Sequence, residues 1–216
     1  MARSPRIQIA GITHHVVNRG NNRCDIFRAE DDYLFFLFAL RNASVRHQVD
    51  VHSYVLMTNH FHIVATPRVN GGLSKAMQIV GTKYVGYFNR RYARTGRLFE
   101  GRFKSGVIDT ETYWFTCMRY VELNPVRASL VSSPAEYRWS SYHANALGVD
   151  NPLLTPHSLY VSLGESAACR QQSWRELSGE PVAQEELFEI REATRCRGVV
   201  GMSAQRSQRS TNHVLS

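Results

Sequence analysis

A chain of 216 residues can bury a real core as one full domain with a small appendage, and 43% hydrophobic with 20% charged residues is ordinary for a globular protein, not a disordered or fibrous one. Its 26 Lys and Arg outnumber 18 Asp and Glu for a net charge of +8, which favours a polyanionic partner, nucleic acid being the commonest, over a merely solvated positive face. Cys24, Cys117, Cys169 and Cys196 are too scattered for a zinc ribbon or a disulfide framework, no signal peptide or run of membrane-spanning length is visible, and a reduced, cytoplasmic protein without membrane contact is expected.

Residues 13–18 (THHVVN) are rich in β-branched side chains and lead into the turn at Gly20, Asn21 and Asn22, which predicts a strand and then a loop. From 30 to about 47, an acidic first turn (Glu30, Asp31, Asp32) precedes Leu34, Leu37, Phe38 and Leu40 at helical spacing. Residues 49–57 read as a strand with Val49, Val51, Ser53 and Val55 on one face. The short break at Thr58 and Asn59, followed by a second strand over 60–66 and Pro67, predicts a hairpin. Beyond Gly71 and Gly72, residues 73–93 read as a long helix on Met77, Val80, Tyr84, Tyr87 and Phe88, and RFKSGVI (102–108) reads as a strand. Asp109 and Thr110 cap a helix from 111 to about 123 that Pro125 stops. This order predicts an α+β fold, a ferredoxin-like split β-α-β with an antiparallel sheet flanked by helices.

After Ala128 the character changes, with helical patches over 156–163 and 183–194 and a polar, basic end. The expected division is a main domain at 1–142, a partly helical C-terminal extension at 143–195 and a basic flexible tail at 196–216.

Three features bear on chemistry. His60 and His62 stand two apart in a strand, so both imidazoles share a face while Phe61 and Ile63 point the other way; they suit half a metal site, or two ordinary histidines on a half-exposed sheet. Tyr113, Cys117, Tyr120 and Asn124 share one helix face, able to present a phenol and an amide together, or to form a packing stripe. Between 83 and 104, Lys83, Arg90, Arg91, Arg94, Arg97, Arg102 and Lys104 face a single acid, Glu100, with aromatics interleaved. Such cationic density suits single-stranded nucleic acid.

Taken in order, RGNNR (19–23), LMTNHFHIVATP (56–67), GRLFEGRFKS (96–105) and RYVELNPVRA (119–128) closely resemble the REP-associated tyrosine transposases, within the wider family of HUH single-tyrosine insertion-sequence transposases. The resemblance covers roughly 11–142 and fades beyond, where LFEIREATRCRG (187–198) only faintly echoes the helical tail of some members. It implies the HUH endonuclease fold and a metal-dependent enzyme that cleaves and rejoins single-stranded, hairpin-containing DNA through a 5′-phosphotyrosine. By the same resemblance Tyr120 is the nucleophile, and His60 and His62 hold a divalent metal, Mg²⁺ or Mn²⁺, with Asn124 at the position of a third ligand. Arg19, Asn22 and Arg23 of the first motif, with Lys83, Arg90, Arg91, Arg97, Arg102 and Lys104, are the expected contacts to palindromic-repeat DNA, aided by Arg195, Arg197, Arg206 and Arg209 of the tail. A monomer is expected over a dimer. Neither His60 nor His62 is expected in the core. Two rivals stand beside this reading: a hydrolase using water as nucleophile, and a non-catalytic nucleic-acid-binding regulator. Neither should form a covalent DNA adduct.

Overall fold

The computed structural model describes residues 9–180, 182–196 and 199–200. Strand β1 (Thr13–Arg19) is followed by a 3-10 turn at Asn21–Arg23, helix α1 (Glu30–Arg46) and a hairpin of β2 (Val49–Met57) and β3 (His60–Pro67). Helix α2 (Gly72–Arg91), β4 (Lys104–Ile108) and α3 (Glu111–Glu122) complete the unit. The sheet order is β2-β3-β1-β4 with every neighbour in that run antiparallel, so the expected split β-α-β architecture is present. β1 and β3 hold the centre, in a register that sets Val17 opposite His62 and Arg19 opposite His60.

The sheet buries both faces. On one side α1 and α2 cover Val16, Phe61, Ile63 and Leu56 with Phe36, Leu40, Val80, Tyr84 and Phe88. On the other, Trp114, Met118 and Val121 of α3 pack on Val55, Met57, Val64 and Ile108. Alternation along β2 is broken by a bulge between Val51 and Ser53. Val49 and Val51 therefore lie in the α1/α2 core while Val55 lies in the α3 core, which corrects the expectation that all four alternate residues share a face. His52, the extra residue, stays buried by bonding the Thr155 carbonyl at 2.7 Å and the Thr66 hydroxyl at 2.8 Å.

Pro125 does not simply stop the chain's helical course. It lacks an N–H and sits in the first turn of a new short helix, α4 (Asn124–Arg127), where that loss costs nothing. Beyond it, α5 (Tyr142–Leu147), α6 (Ser158–Val161), α7 (Ala167–Gly179) and α8 (Gln184–Cys196) follow. α5 and α7 had no counterpart in the sequence reading. Tyr160, Trp174, Leu187, Ile190 and Ala193 enter the α3 core, so residues past 142 are built into the sheet's second layer. A two-residue strand β5 (Val199–Val200) runs parallel to β4 at the sheet edge. The rest of the expected basic tail lies outside the described residues. No helix among the described residues is long and apolar enough to cross a membrane.

Candidate active site

Strand alternation carries His60 and His62 to the α3 face of the sheet, with Phe61 and Ile63 in the opposite core. The two rings stand edge to face with centroids 5.1 Å apart. α3 crosses this face and lays Tyr120 edge-on against His62, centroids 5.4 Å apart, and Asn124 begins the next short helix one turn on. His60, His62, Tyr120 and Asn124 thus line one cleft of about 640 Å³, with Arg19, Arg102, Lys104 and Arg127 around it and Arg191 and Thr194 of α8 on one side.

Each histidine of the pair has its Nδ1 engaged. His60 Nδ1 meets the Asn59 side-chain oxygen at 2.7 Å, and an amide oxygen can only accept, so the proton sits on Nδ1 and Nε2 carries the lone pair. His60 also hydrogen-bonds Asn124. His62 Nδ1 lies 2.8 Å from His15 Nε2. Burial, and then the Arg19 charge, pushes His60 down to about 4. Burial, with His15, His60, Arg19 and Arg127 adding positive neighbours, holds His62 well below the ordinary imidazole range. Both rings are therefore neutral at pH 7, the form that binds metals. Two neutral imidazoles and an amide oxygen fit an octahedral divalent ion that keeps positions for water and phosphate. Among the described residues no three His, Cys, Asp or Glu side chains gather into a metal centre, and the Asn124 amide lines the same cleft as the histidine pair.

Other expected residues are dispersed. His62 is buried, 5% exposed, against the expectation that it lies outside the core, because α3 closes over it. Lys83 lines a separate groove between α1 and α2 with Arg46 and Lys75, on the far side of the sheet. Arg91 pairs with Asp31 at 2.9 Å, and Tyr87 and Tyr92 donate to buried Asp32 at 3.1 and 2.7 Å. Arg90 and Arg97 are exposed and do not line the cleft. Asn22 and Arg23 form an exposed left-handed pair beside it, held where the Asn59 amide donates to the Arg23 carbonyl at 3.3 Å. Of the Lys83 to Lys104 stretch, only Glu100, Gly101, Arg102 and Lys104 reach the cleft.

Two side chains packed against these residues escaped the sequence reading. Arg127 holds its guanidinium 4.8 Å from the Tyr120 ring centroid. Its offset of seven from Tyr120 would have suggested a shared face had Pro125 not been read as the end of the helix. His15 carried no signal beyond its place two residues before Val17, since the register joining it to His62 is long-range.

Chemically, a phenol, two neutral imidazoles and several cations converge on one polar cleft. Such a site can bind a phosphodiester, offset its charge and present an oxygen nucleophile to it.

A family model described as "Transposase IS200 like" matches residues 8–124. Comparison with curated proteins gives no match. Among solved structures, the chain is similar to one described as "Structure of the REP associates tyrosine transposase bound to a REP hairpin". The TM-score is 0.58 at 17% identity, covering 73% of this chain and 93% of that one. A weaker likeness, to tRNA(His) guanylyltransferase from Saccharomyces cerevisiae, has 11% identity over 87% of this chain and 80% of the other, and at a TM-score of 0.38 it carries no argument.

Proposed function

The chain belongs to the IS200-like transposase family, and from that premise we propose that it cleaves and rejoins single-stranded, hairpin-containing DNA with Tyr120 as nucleophile. The observation that carries the proposal is the convergence of His60, His62, Asn124 and Tyr120 in one cation-lined cleft. The structural neighbour bound to a REP hairpin supports hairpin DNA as the substrate class.

In this reading Arg19, Arg102 and Lys104 bind the phosphate backbone and hold the scissile linkage against Tyr120. The Tyr120 oxygen attacks phosphorus, the bond from phosphorus to the 3′ oxygen breaks, and that oxygen leaves with the electron pair and takes up a proton. The product is a 5′-phosphotyrosine and a free 3′-hydroxyl. Attack by a second 3′-hydroxyl reverses the exchange and frees Tyr120, with no external energy source because one phosphodiester replaces another. Nε2 of His60, Nε2 of His62 and the amide oxygen of Asn124 would hold Mg²⁺ or Mn²⁺, which supplies Lewis-acid charge at the phosphate oxygens. Arg127, beside the Tyr120 ring, offsets the charge that develops on the phosphate.

The test is a hairpin-bearing oligonucleotide labelled at its 3′ end. Wild-type protein with Mn²⁺ should capture the label covalently, and chelator or Tyr120→Phe should abolish capture while DNA binding persists. Cleavage without an adduct would favour the water-nucleophile hydrolase, and binding without cleavage the regulator.

A further inference from the structure

Beside the cleft but outside its lining lies a third histidine. His15 is 1% exposed, its ring stacks on His62 with centroids 5.0 Å apart at 17°, and its Nε2 sits 2.8 Å from His62 Nδ1. Its edge also meets the Tyr120 ring, with centroids 5.9 Å apart. Its other nitrogen, Nδ1, is buried with no hydrogen-bond partner among the described residues, where His62 is the polar group that His15 engages. The burial depends on β4. His15 pairs across the sheet with Gly106, where an added Cβ would lie 3.3 Å from the Cβ of Ala193, so the missing side chain lets α8 settle over this spot.

We propose that His15 is a positioning residue that selects the metal-binding tautomer and orientation of His62. The two facing nitrogens share one proton. If His15 Nε2 holds it, His62 Nδ1 accepts, and His62 Nε2 must carry a hydrogen and cannot ligate. If His62 Nδ1 holds it and donates to His15, His62 Nε2 presents its lone pair to the cleft. Ligation requires the second arrangement, which places the His15 hydrogen on its Nδ1, and His15 Nε2 then supplies the buried acceptor that the His62 Nδ1–H needs. Stacking fixes the plane of the His62 ring at the same time. Asn59 does for His60 what His15 does for His62, but with an acceptor oxygen that admits one tautomer only. The pair is thus held by one fixed and one adjustable partner.

This inference rests on the reading of His60 and His62 as ligands, and the experiment separates the two. Mn²⁺ binding to the DNA-free protein is titrated by electron paramagnetic resonance, with thermal unfolding checked for each variant. Failure of wild type to bind, or undiminished binding by His60→Ala, would overturn the ligand reading itself. Given a wild-type site, His15→Phe keeps the stacked ring and removes the acceptor, and it should weaken Mn²⁺ about 10- to 100-fold. His15→Gln places an amide oxygen near the lost Nε2 and should recover most of the affinity. Cleavage by His15→Phe should return toward wild type at saturating Mn²⁺, as expected for a residue acting through metal affinity. Wild-type Mn²⁺ affinity in a folded His15→Phe would overturn the proposal, as would equal losses in Phe and Gln variants. Should His15→Phe fail to fold, His15→Leu and the Gln variant carry the same comparison.

Discussion

Tyr113 and Tyr120 occupy one helix seven residues apart, a rise of about 10.5 Å, so a single phosphate cannot be within reach of both phenols. The Tyr113 hydroxyl is buried without a partner among the described residues, and burial pushes that phenol above its ordinary range, whereas Tyr120 lines the cleft. Tyr113→Phe should therefore keep the covalent DNA adduct that Tyr120→Phe loses, and peptide mass spectrometry of trapped complex decides the matter. Arg127→Met keeps much of the side chain's stem and removes the charge. It should slow single-turnover cleavage at saturating protein by about 100-fold, and an unchanged rate would exclude it from the chemistry. At this scale the sequence was most legible where geometry is local. His60 and His62 share a face because strands alternate, and Tyr120 and Asn124 because helices repeat, whereas the 47-residue separation of His15 and His62 hid their pairing.

Between elements, the strongest tie is a carboxylate. Glu122, fully buried near the end of α3, accepts from Ser141 at 2.5 Å, Asn145 at 2.7 Å, Trp174 at 2.8 Å and Ser53 at 3.3 Å. One side chain thereby joins β2, α3, α5 and α7, and sets the height of the Tyr120 helix above the sheet. Glu122→Ala strips the Trp174 indole N–H of its acceptor and leaves Ser53, Ser141 and Asn145 with only their remaining bonds to one another and to the Tyr54 and His52 carbonyls, so a loss of about 1–3 kcal/mol or more in urea unfolding is expected. Glu122→Gln should lose less, and stability unchanged in the Ala variant would refute the account. A second constraint sits at Gly20, where a Cβ would come 2.1 Å from the Cys24 carbonyl oxygen. Gly20→Ala must deform the loop carrying Asn22 and Arg23, and weaker hairpin binding with the cleft's Mn²⁺ affinity retained is the expected result. Elements up to α3 were readable in kind, although α1 turns Leu34 and Phe38 outward and buries Tyr33, Phe36, Ala39 and Leu40 instead of the stripe expected from Leu34, Leu37, Phe38 and Leu40. α5 and α7 were not: α7 buries only Trp174 and Ser178, too few to show a period.

Across the whole molecule, histidine burial sets the response to acid. Burial lowers His14, His52 and His60 to about 4 and His15 to about 3. Below the ordinary value near 6.5 the unfolded chain takes up protons that the native state refuses. Their contribution is thus present above about pH 6.5 and is lost as pH falls toward 4, by up to about 1.4 kcal/mol per pH unit for each group. Melting temperature should fall steeply across that window, and a flat profile would show these rings to be solvated. The charge excess of the sequence is likewise a whole-molecule property, and its cations do not share one surface. Cations close in the chain diverge in space, Lys83 to the α1/α2 groove and Arg102 and Lys104 to the cleft, because α2 and β4 lie in different layers.

The bulge at His52 has a consequence of its own kind. A strand is a two-letter code, and one surplus residue inverts its parity: Val49 and Val51 are read by one core, Val55 and Met57 by the other, although all four are odd-numbered. The phase of each half is therefore set by its pairing with β3 and not by its numbering along the chain. His52→Ala forfeits two hydrogen bonds but keeps the bulge, whereas deleting His52 removes the surplus residue, makes Val51 and Ser53 consecutive opposite Ala65 and Val64, and leaves every flanking side chain on its present face. The deletion should therefore fold with a melting temperature no lower than that of the substitution, and loss of folding in the deletion alone would show that the surplus residue itself is required. In this strand, as in a message, the frame is kept by what reads it, and a letter that the reader skips can be spared.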